Sequence, residues 1–385
     1  MRNGLKACVG ETRFLFNLNR LTCAVDSGII VGMEIGIIGL PQSGKTTLFH
    51  ALAGAEKATS AYSAGRLEIH TATTNVPDER VDILSKMFNP RKTIYAKVTY
   101  ADIAGLDKGV TKKGLPGPFV NQLGQLDAFV HVLRAFPDPM GTAPIDPAGD
   151  LAILDTEFLL NDLGAVERRY EKILESISKG AKDRDVAVKE KALFEKLKAW
   201  LDQEKPLCDL DLSPDEIQLT RGYGFLSLKP MLIVINCADE GTPPDVAYGH
   251  QHSAVVPLRG RLEREIAELS PEDAPLFMEE YGITELSRSK VIRLSYDLLG
   301  VQSFFTVGED EVRAWTILRG ATAVDAAGAI HTDLAKGFIR AEVTAYHDLI
   351  ELGSLKEAQH KGKFRLEGKE YVVKDGDIVH IRHSG

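Results

Sequence analysis

Residues 34–54 read EIGIIGLPQSGKTTLFHALAG. A short apolar, β-rich run ends in a glycine-bearing loop, and a helix-period stretch follows, closed by Gly54. Within it, Gly39-Leu40-Pro41-Gln42-Ser43-Gly44-Lys45-Thr46 satisfies G-x-x-x-x-G-K-[ST] at every position. The strand before and the helix after are the context that this phosphate-loop motif requires. Such a loop turns its backbone N–H groups inward as an anion nest. The start of the helix adds partial positive charge. Lys45 is expected to reach the β and γ phosphates as a point charge, and the Thr46 hydroxyl to ligate Mg²⁺. The nucleotide-binding set read from this loop is Gly39, Pro41, Gln42, Ser43, Gly44, Lys45, Thr46 and Thr47.

Outward from the loop, three further apolar runs read as strands: Ile94 to Gly105, Ala128 to Phe136, and Pro230 to Glu240. Buried apolar strands separated by helices predict an α/β fold of the P-loop NTPase type, with a mainly parallel sheet covered on both faces. The second run ends in Asp102-Ile103-Ala104-Gly105. A D-x-x-G at this distance after a phosphate loop suits a switch element. Asp102 would orient a Mg²⁺-bound water, and the Gly105 N–H would contact the γ-phosphate. The predicted catalytic set is therefore Lys45, Thr46, Asp102 and Gly105, with Thr46 and Asp102 as metal ligands. The last run ends in Asn236-Cys237-Ala238-Asp239-Glu240. Asn236 and Asp239 keep the N-K-x-D spacing by which GTPases read guanine, but Cys237 stands where a Lys would stack on the base.

Between the third and fourth runs, Leu151, Leu154, Phe158, Val166, Tyr170, Ile173 and Ile177 recur at helical steps. Leu193, Phe194, Leu197, Trp200 and Leu201 do the same beyond a polar, glycine-bearing link, and Pro206 stops the second helix. An antiparallel helical hairpin inserted at about 150–222 is expected. From about 302 the pattern changes. Two strand-like segments, VRAWTILRG and YVVKDGDIVHIR, flank one helical stretch, AVDAAGAIHTDLAKGF, and predict a compact α+β module over 302–385. The nucleotide domain then spans 33–301.

The chain has 385 residues, 44% of them apolar and 26% charged, which is ordinary globular composition. A net charge of −9 argues against a protein coated in basic charge, and no DNA sequence readout is expected. Cys8, Cys23, Cys208 and Cys237 show no C-x-x-C spacing, so zinc and disulfide scaffolds are not expected and a reducing, cytoplasmic setting is. No run of 18 apolar residues predicts a membrane span. Residues 1–32 show no pattern and read as a disordered extension or as sequence upstream of a start at Met33. An organelle transit peptide is the alternative. The histidines of the C-terminal module (His331, His347, His360, His380, His383) are too scattered for a metal cluster.

GLPQSGKTTLF, DIAGL, VPDERVDIL, DTEFLLNDL and above all the run from Phe304 to Ser354 resemble the YchF family, the Obg-like ATPases. The resemblance covers Met33 to the C-terminus. It implies a TGS-like β-grasp for 302–385 and a coiled-coil arm for the hairpin. It further implies binding and hydrolysis of purine nucleotides, often ATP in preference to GTP, and association with ribosomes, translation and stress responses.

The departures from the family pattern are clustered and point to a divergent paralogue. Gln42 and Ser43 replace an Asn and a Val of the usual loop. The family's switch threonine falls on Arg66, which cannot ligate Mg²⁺. The loop after the third strand often carries a His in the family, and none lies between Phe136 and Pro147. The base loop aligns with Arg259-Gly260-Arg261, and the base motif ends in Asp239 rather than the family's Glu. Leu106, like the family's apolar residue there, cannot hold an attacking water.

Two functions follow. One is a slow hydrolytic switch for GTP or ATP whose state controls docking to a ribosome or RNA partner. The other is a nucleotide-sensing module with little turnover. Asp239 favours guanine, whereas the resemblance favours adenine. Arg168, Arg169, Lys172, Lys179, Lys182, Arg184, Lys189, Lys191, Lys196 and Lys198 on the hairpin are interleaved with acids. They fit a solvated helix face about as well as an RNA-binding one.

Overall fold

The computed structural model describes residues 33–53, 60–64, 67–103, 114–137, 144–180, 183–270, 272–280, 283 and 285–384. Gly105, Leu106, Arg66 and the extension 1–32 lie outside these residues. In chain order the first elements are β1 (Glu34–Ile38), α1 (Lys45–Ala53), β2 (Ser60–Ala64), β3 (Leu67–Asn75), α2 (Glu79–Phe88), β4 (Lys92–Ile94), β5 (Lys97–Ile103), α3 (Gly117–Gln125) and β6 (Ala128–Ala135). There follow α4 (Pro147–Ser178), α5 (Arg184–Leu201), α6 (Pro214–Thr220), β7 (Met231–Cys237), β8 (Ser253–Leu258), α7 (Gly260–Glu268), α8 (Asp273–Glu280) and α9 (Ser287–Leu298).

The chain divides into two compact units. The first takes Glu34–Thr74 and Thr99–Leu298, and the second Asn75–Val98 and Leu299–Gly385. In the first, a seven-stranded sheet runs β2-β3-β5-β1-β6-β7-β8. β1 lies parallel between β5 and β6, and β7 follows parallel to β6, as the apolar runs predict; β8, which no run marked, continues the parallel order. Side chains alternate between the faces of a strand. Ile38, Phe129, Leu133, Ile233 and Ile235 meet Phe119 and Leu123 of α3 and Leu151, Leu154 and Phe158 of α4 in one core. Burying a side chain of this size is worth roughly 1.5–3 kcal/mol. The parallel order brings the C-terminal ends of β1, β5 and β7 to one edge, and the motifs sit there.

The hairpin forms from α4 and α5. Val166, Ile173, Leu193, Phe194, Leu197 and Leu201 close a seam with Leu207, Leu212 and Phe225. Among the described residues, five of the ten basic residues noted on it in sequence pair with acids. Arg169 grips Glu190 with two bonds of 2.7 Å, and Lys179, Lys191, Lys196 and Lys198 each pair with a carboxylate. Asp162, fully buried on α4, ties the return of the hairpin. It accepts from the backbone N–H groups of Leu226 and Ser227 and from the Ser227 hydroxyl. Burial pushes its carboxyl pKa up, and those donors pull it back.

The second unit holds β9 (Val301–Val307), β10 (Glu311–Leu318), α10 (Ala323–Ile330), α11 (Thr332–Lys336), β11 (Phe338–Ala345), α12 (Tyr346–Leu352), α13 (Leu355–His360), β12 (Arg365–Glu367) and β13 (Asp377–His383). Its sheet runs β12-β11-β13-β9-β10-β4, so β4 joins as the edge strand, parallel to β10. Arg80 of α2 fixes the same segment here. It bonds Asp78 and Asp375, and its guanidinium lies 5.1 Å from the Phe305 ring centre. The single helix expected over AVDAAGAIHTDLAKGF is two. His331 leaves helical conformation (φ −165°) and ends α10, and its Nδ1 accepts from the Asp333 N–H to cap α11.

Replacing Asp162 by Ala leaves two buried N–H groups and a hydroxyl without their acceptor. Chemical denaturation of Asp162→Ala should show a loss of about 3 kcal/mol.

Candidate nucleotide site

The phosphate loop follows β1 and feeds α1. Gly39 (φ 146°) and Gly44 (φ 93°) take conformations that side chains rarely adopt. A Cβ at Gly39 would lie 2.4 Å from the Val132 carbonyl, and one at Gly44 would lie 2.1 Å from Asn236 Nδ2. Only glycine fits either place. Gln42 is also left-handed, at φ 64°. Asn tolerates that region better because its short amide bonds locally. The Gln in place of the family pattern's Asn therefore costs conformational energy.

Lys45 opens α1, and its ammonium donates 2.9 Å bonds to the carbonyls of Gly39 and Leu40. It arches back over the loop, where phosphate oxygens can take the place of those carbonyls. Burial lowers its pKa, and the Asp102 charge raises it in part. Thr46 is exposed and donates from Oγ1 to Asp102 Oδ2 at 3.0 Å. Asp102 ends β5 and is buried. Two hard oxygen donors thus meet beside the ammonium, an oxygen set that suits Mg²⁺. Thr47 is half-buried behind them, and Pro41 is half-buried at the loop's crown. Gly105, expected to complete this group, is outside the described residues.

Asn236, buried at the end of β7, joins two loops. Its Nδ2 donates to the Ser43 carbonyl at 3.0 Å, and its Oδ1 accepts from the Gly260 N–H at 3.1 Å. The spacing of the motif marked Asn236, but read it only as a base-side residue. Its partners lie 193 and 24 residues away and are not visible in sequence. Cys237 is half-buried with its thiol pKa raised by burial. Asp239 is paired through Oδ2 to Arg261 Nε at 3.0 Å. Its Oδ1 is buried with no hydrogen-bond partner among the described residues. Glu240 beside it is exposed.

Two buried polar groups lie near the loop, Ser43, which the sequence marked for nucleotide binding, and His131, which it did not. The Ser43 hydroxyl is enclosed and lacks a partner among the described residues. His131, in register with Ile38 and Ile233, is fully buried with neither ring nitrogen bonded among those residues. Burial first, and the Lys45 charge second, push its pKa down to about 3. An apolar strand carrying one His gives no signal of either fact.

Residues 34–179 match the family model described as a 50S ribosome-binding GTPase. Residues 301–384 match the YchF-GTPase_C model, described as a protein of unknown function. The ribosome-binding ATPase YchF of Bacillus subtilis is 40% identical over 371 residues, spanning 92% of this chain and 100% of its own. The chain belongs to the YchF family. The ribosome-binding ATPase YchF of Escherichia coli O157:H7 is 38% identical, over 91% of this chain and 99% of that one. Among solved structures, the YchF GTPase of Schizosaccharomyces pombe superposes with a TM-score of 0.77. It is 30% identical and covers 92% of this chain and 100% of its own. Within the YchF pattern, this chain's Ser43 puts a hydroxyl where a valine would put methyl groups.

The buried imidazole gives a pH test. His131 stays neutral in the folded chain to about pH 3, whereas in the unfolded chain it binds a proton below about 6.5. The unfolded state therefore gains protons as pH falls, and stability drops through that window. Between pH 7 and pH 5 the unsubstituted protein should lose about 2 kcal/mol more than His131→Leu, measured by denaturation at each pH.

Proposed function

We propose that this chain binds a purine nucleoside triphosphate with Mg²⁺ and hydrolyses it slowly, as a switch whose nucleotide state governs docking on the ribosome. The convergence of Lys45, Thr46 and Asp102 beneath a loop that only glycine can form carries the reading. The relatives named ribosome-binding ATPases support both the activity and the partner. Docking on ribosomes also fits the expected cytoplasmic location. In this reading 33–301 handles the nucleotide, with the hairpin as an arm, and 302–385 is a TGS-like module.

The roles divide by chemistry. Backbone N–H groups at the start of α1 lack intrahelical partners and face the phosphates. Lys45 gives up its bonds to Gly39 and Leu40 and donates to phosphate oxygens, drawing off the charge that builds as the terminal phosphoryl group leaves. Thr46 Oγ1 and the Asp102 carboxylate would hold Mg²⁺, which when bound would neutralise phosphate charge. Asp102 also keeps the Lys45 ammonium charged against its burial. Water attacks in line, and with Leu106 at the water-orienting position the rate depends on a group supplied by a partner. The D-x-x-G motif assigns the γ-phosphate contact to Gly105, which lies outside the described residues.

Lys45→Ala should remove Mg²⁺-dependent turnover of ATP and GTP by about 10²-fold or more. The assay is phosphate release with and without ribosomes. Turnover at the unsubstituted rate in this variant would overturn the mechanism. Tight nucleotide binding with no turnover above background, ribosomes included, would make the chain a nucleotide sensor instead.

A further inference from the structure

Arg134 lies near the end of β6 and is nearly enclosed, at 8% exposure. A buried guanidinium needs acceptors for its donors. Here Nη1 donates to the Phe136 carbonyl at 3.2 Å and Nη2 to the Pro144 carbonyl at 2.6 Å. Those carbonyls stand at the two ends of the connection from β6 to α4, and Arg134 ties one to the other. Its charge also reaches Asp150 in the first turn of α4, where burial raises the carboxyl pKa and the guanidinium draws it part way back. Arg134 is in register with Asn236, and Ala135 with Cys237, so Phe136 leaves the sheet beside the base motif. The half-buried Phe136 ring comes 3.8 Å from the place that a Cβ of Gly44 would take, next to the Asn236 amide. An aromatic ring therefore stands where the phosphate loop and the base motif meet.

We propose that Arg134 is a positioning residue for the nucleoside half of the ligand: by gripping the Phe136 and Pro144 carbonyls it holds the Phe136 ring beside the phosphate loop, where the ring packs on the nucleoside. The grip needs two acceptors served at a fixed spread. The planar fork of an arginine does this, and the compact ammonium of a lysine does not. The ring takes either purine, because stacking does not read the donors and acceptors on a base's edge. The phosphates are held by other groups, Lys45 and the N–H groups of the loop, so the two halves of the ligand respond separately to a change at Arg134. This role rests on the nucleotide-site reading above and specifies what orders its nucleoside side.

The test is isothermal titration of the full chain, in Mg²⁺, with ADP, GDP and inorganic tripolyphosphate, which offers phosphates without a nucleoside. Arg134→Lys should lose about tenfold for ADP and GDP alike and bind tripolyphosphate within about threefold of the unsubstituted chain. Phe136→Ala should show the same pattern, and the double variant should bind ADP no more weakly than Phe136→Ala alone. Arg134→Gln, with one amide arm in place of two, carries the same expectations if circular dichroism shows that Arg134→Lys does not fold. A loss for tripolyphosphate equal to that for ADP would make Arg134 a brace for the whole site and overturn the proposal. Unchanged ADP and GDP affinity in either single variant would also overturn it, as would losses that multiply in the double variant. If neither the diphosphates nor tripolyphosphate bind the unsubstituted chain, the nucleotide-site reading itself falls, and this role with it.

Discussion

The two hydrogen bonds of Asn236 are the constraint on which the site depends. One amide side chain, buried at the end of a central strand, holds the Ser43 carbonyl with its donor and the Gly260 N–H with its acceptor. The phosphate loop and the base loop are far apart in sequence, and each is individually irregular. Joined through Asn236, neither can shift without leaving a buried polar group unpaired, which costs about 1–3 kcal/mol per group. The absence of a side chain at Gly44 is part of the same design, because a Cβ there would occupy the place of the amide. This joint ties the phosphate loop to the start of α7, whose second residue, Arg261, pairs with Asp239.

Around that joint the protein carries several buried polar groups of unequal quality. Asp162 is fully served by donors and ties the hairpin to the strand that follows it. Asp102 is buried but directed at Thr46. Ser43 and His131 are buried without partners among the described residues. Gln42 holds a backbone conformation better suited to Gly or Asn. The well-served group maintains the scaffold, whereas Ser43 and the strained Gln42 belong to the phosphate loop, and Gln122 on α3 is likewise unserved among the described residues. Local expense of this kind is expected where a site must stay ready for a ligand.

Much of the first unit was legible because its signals are local. Gly39 to Thr46 follows a strand and opens a helix, so the motif and its context confirm each other. The four apolar runs gave the parallel strands, and helical periodicity gave α4 and α5. What stayed hidden is non-local. The β2–β3 pair, β8 and the helices α7 to α9 carry weaker patterns. Residues 75–98 read as part of the nucleotide domain by position, yet α2 and β4 group with 299–385. There Arg80 meets Asp375, and β4 extends the second sheet. No periodicity encodes a pairing across some 220 residues. The break at His331 was missed because a His in an alanine-rich stretch is helix-compatible until its ring turns back to cap the next segment. Arg261 was noted only as a departure from the family pattern, since its ion pair with Asp239 depends on how α7 is set.

The most direct test of this account is nucleoside diphosphate affinity in Asn236→Ala, measured by titration in Mg²⁺ with circular dichroism to verify that the fold is kept. If Asn236 couples the two loops, the variant stays folded and loses about tenfold or more in affinity for ADP and GDP alike. Affinity for both diphosphates equal to that of the unsubstituted protein would contradict it.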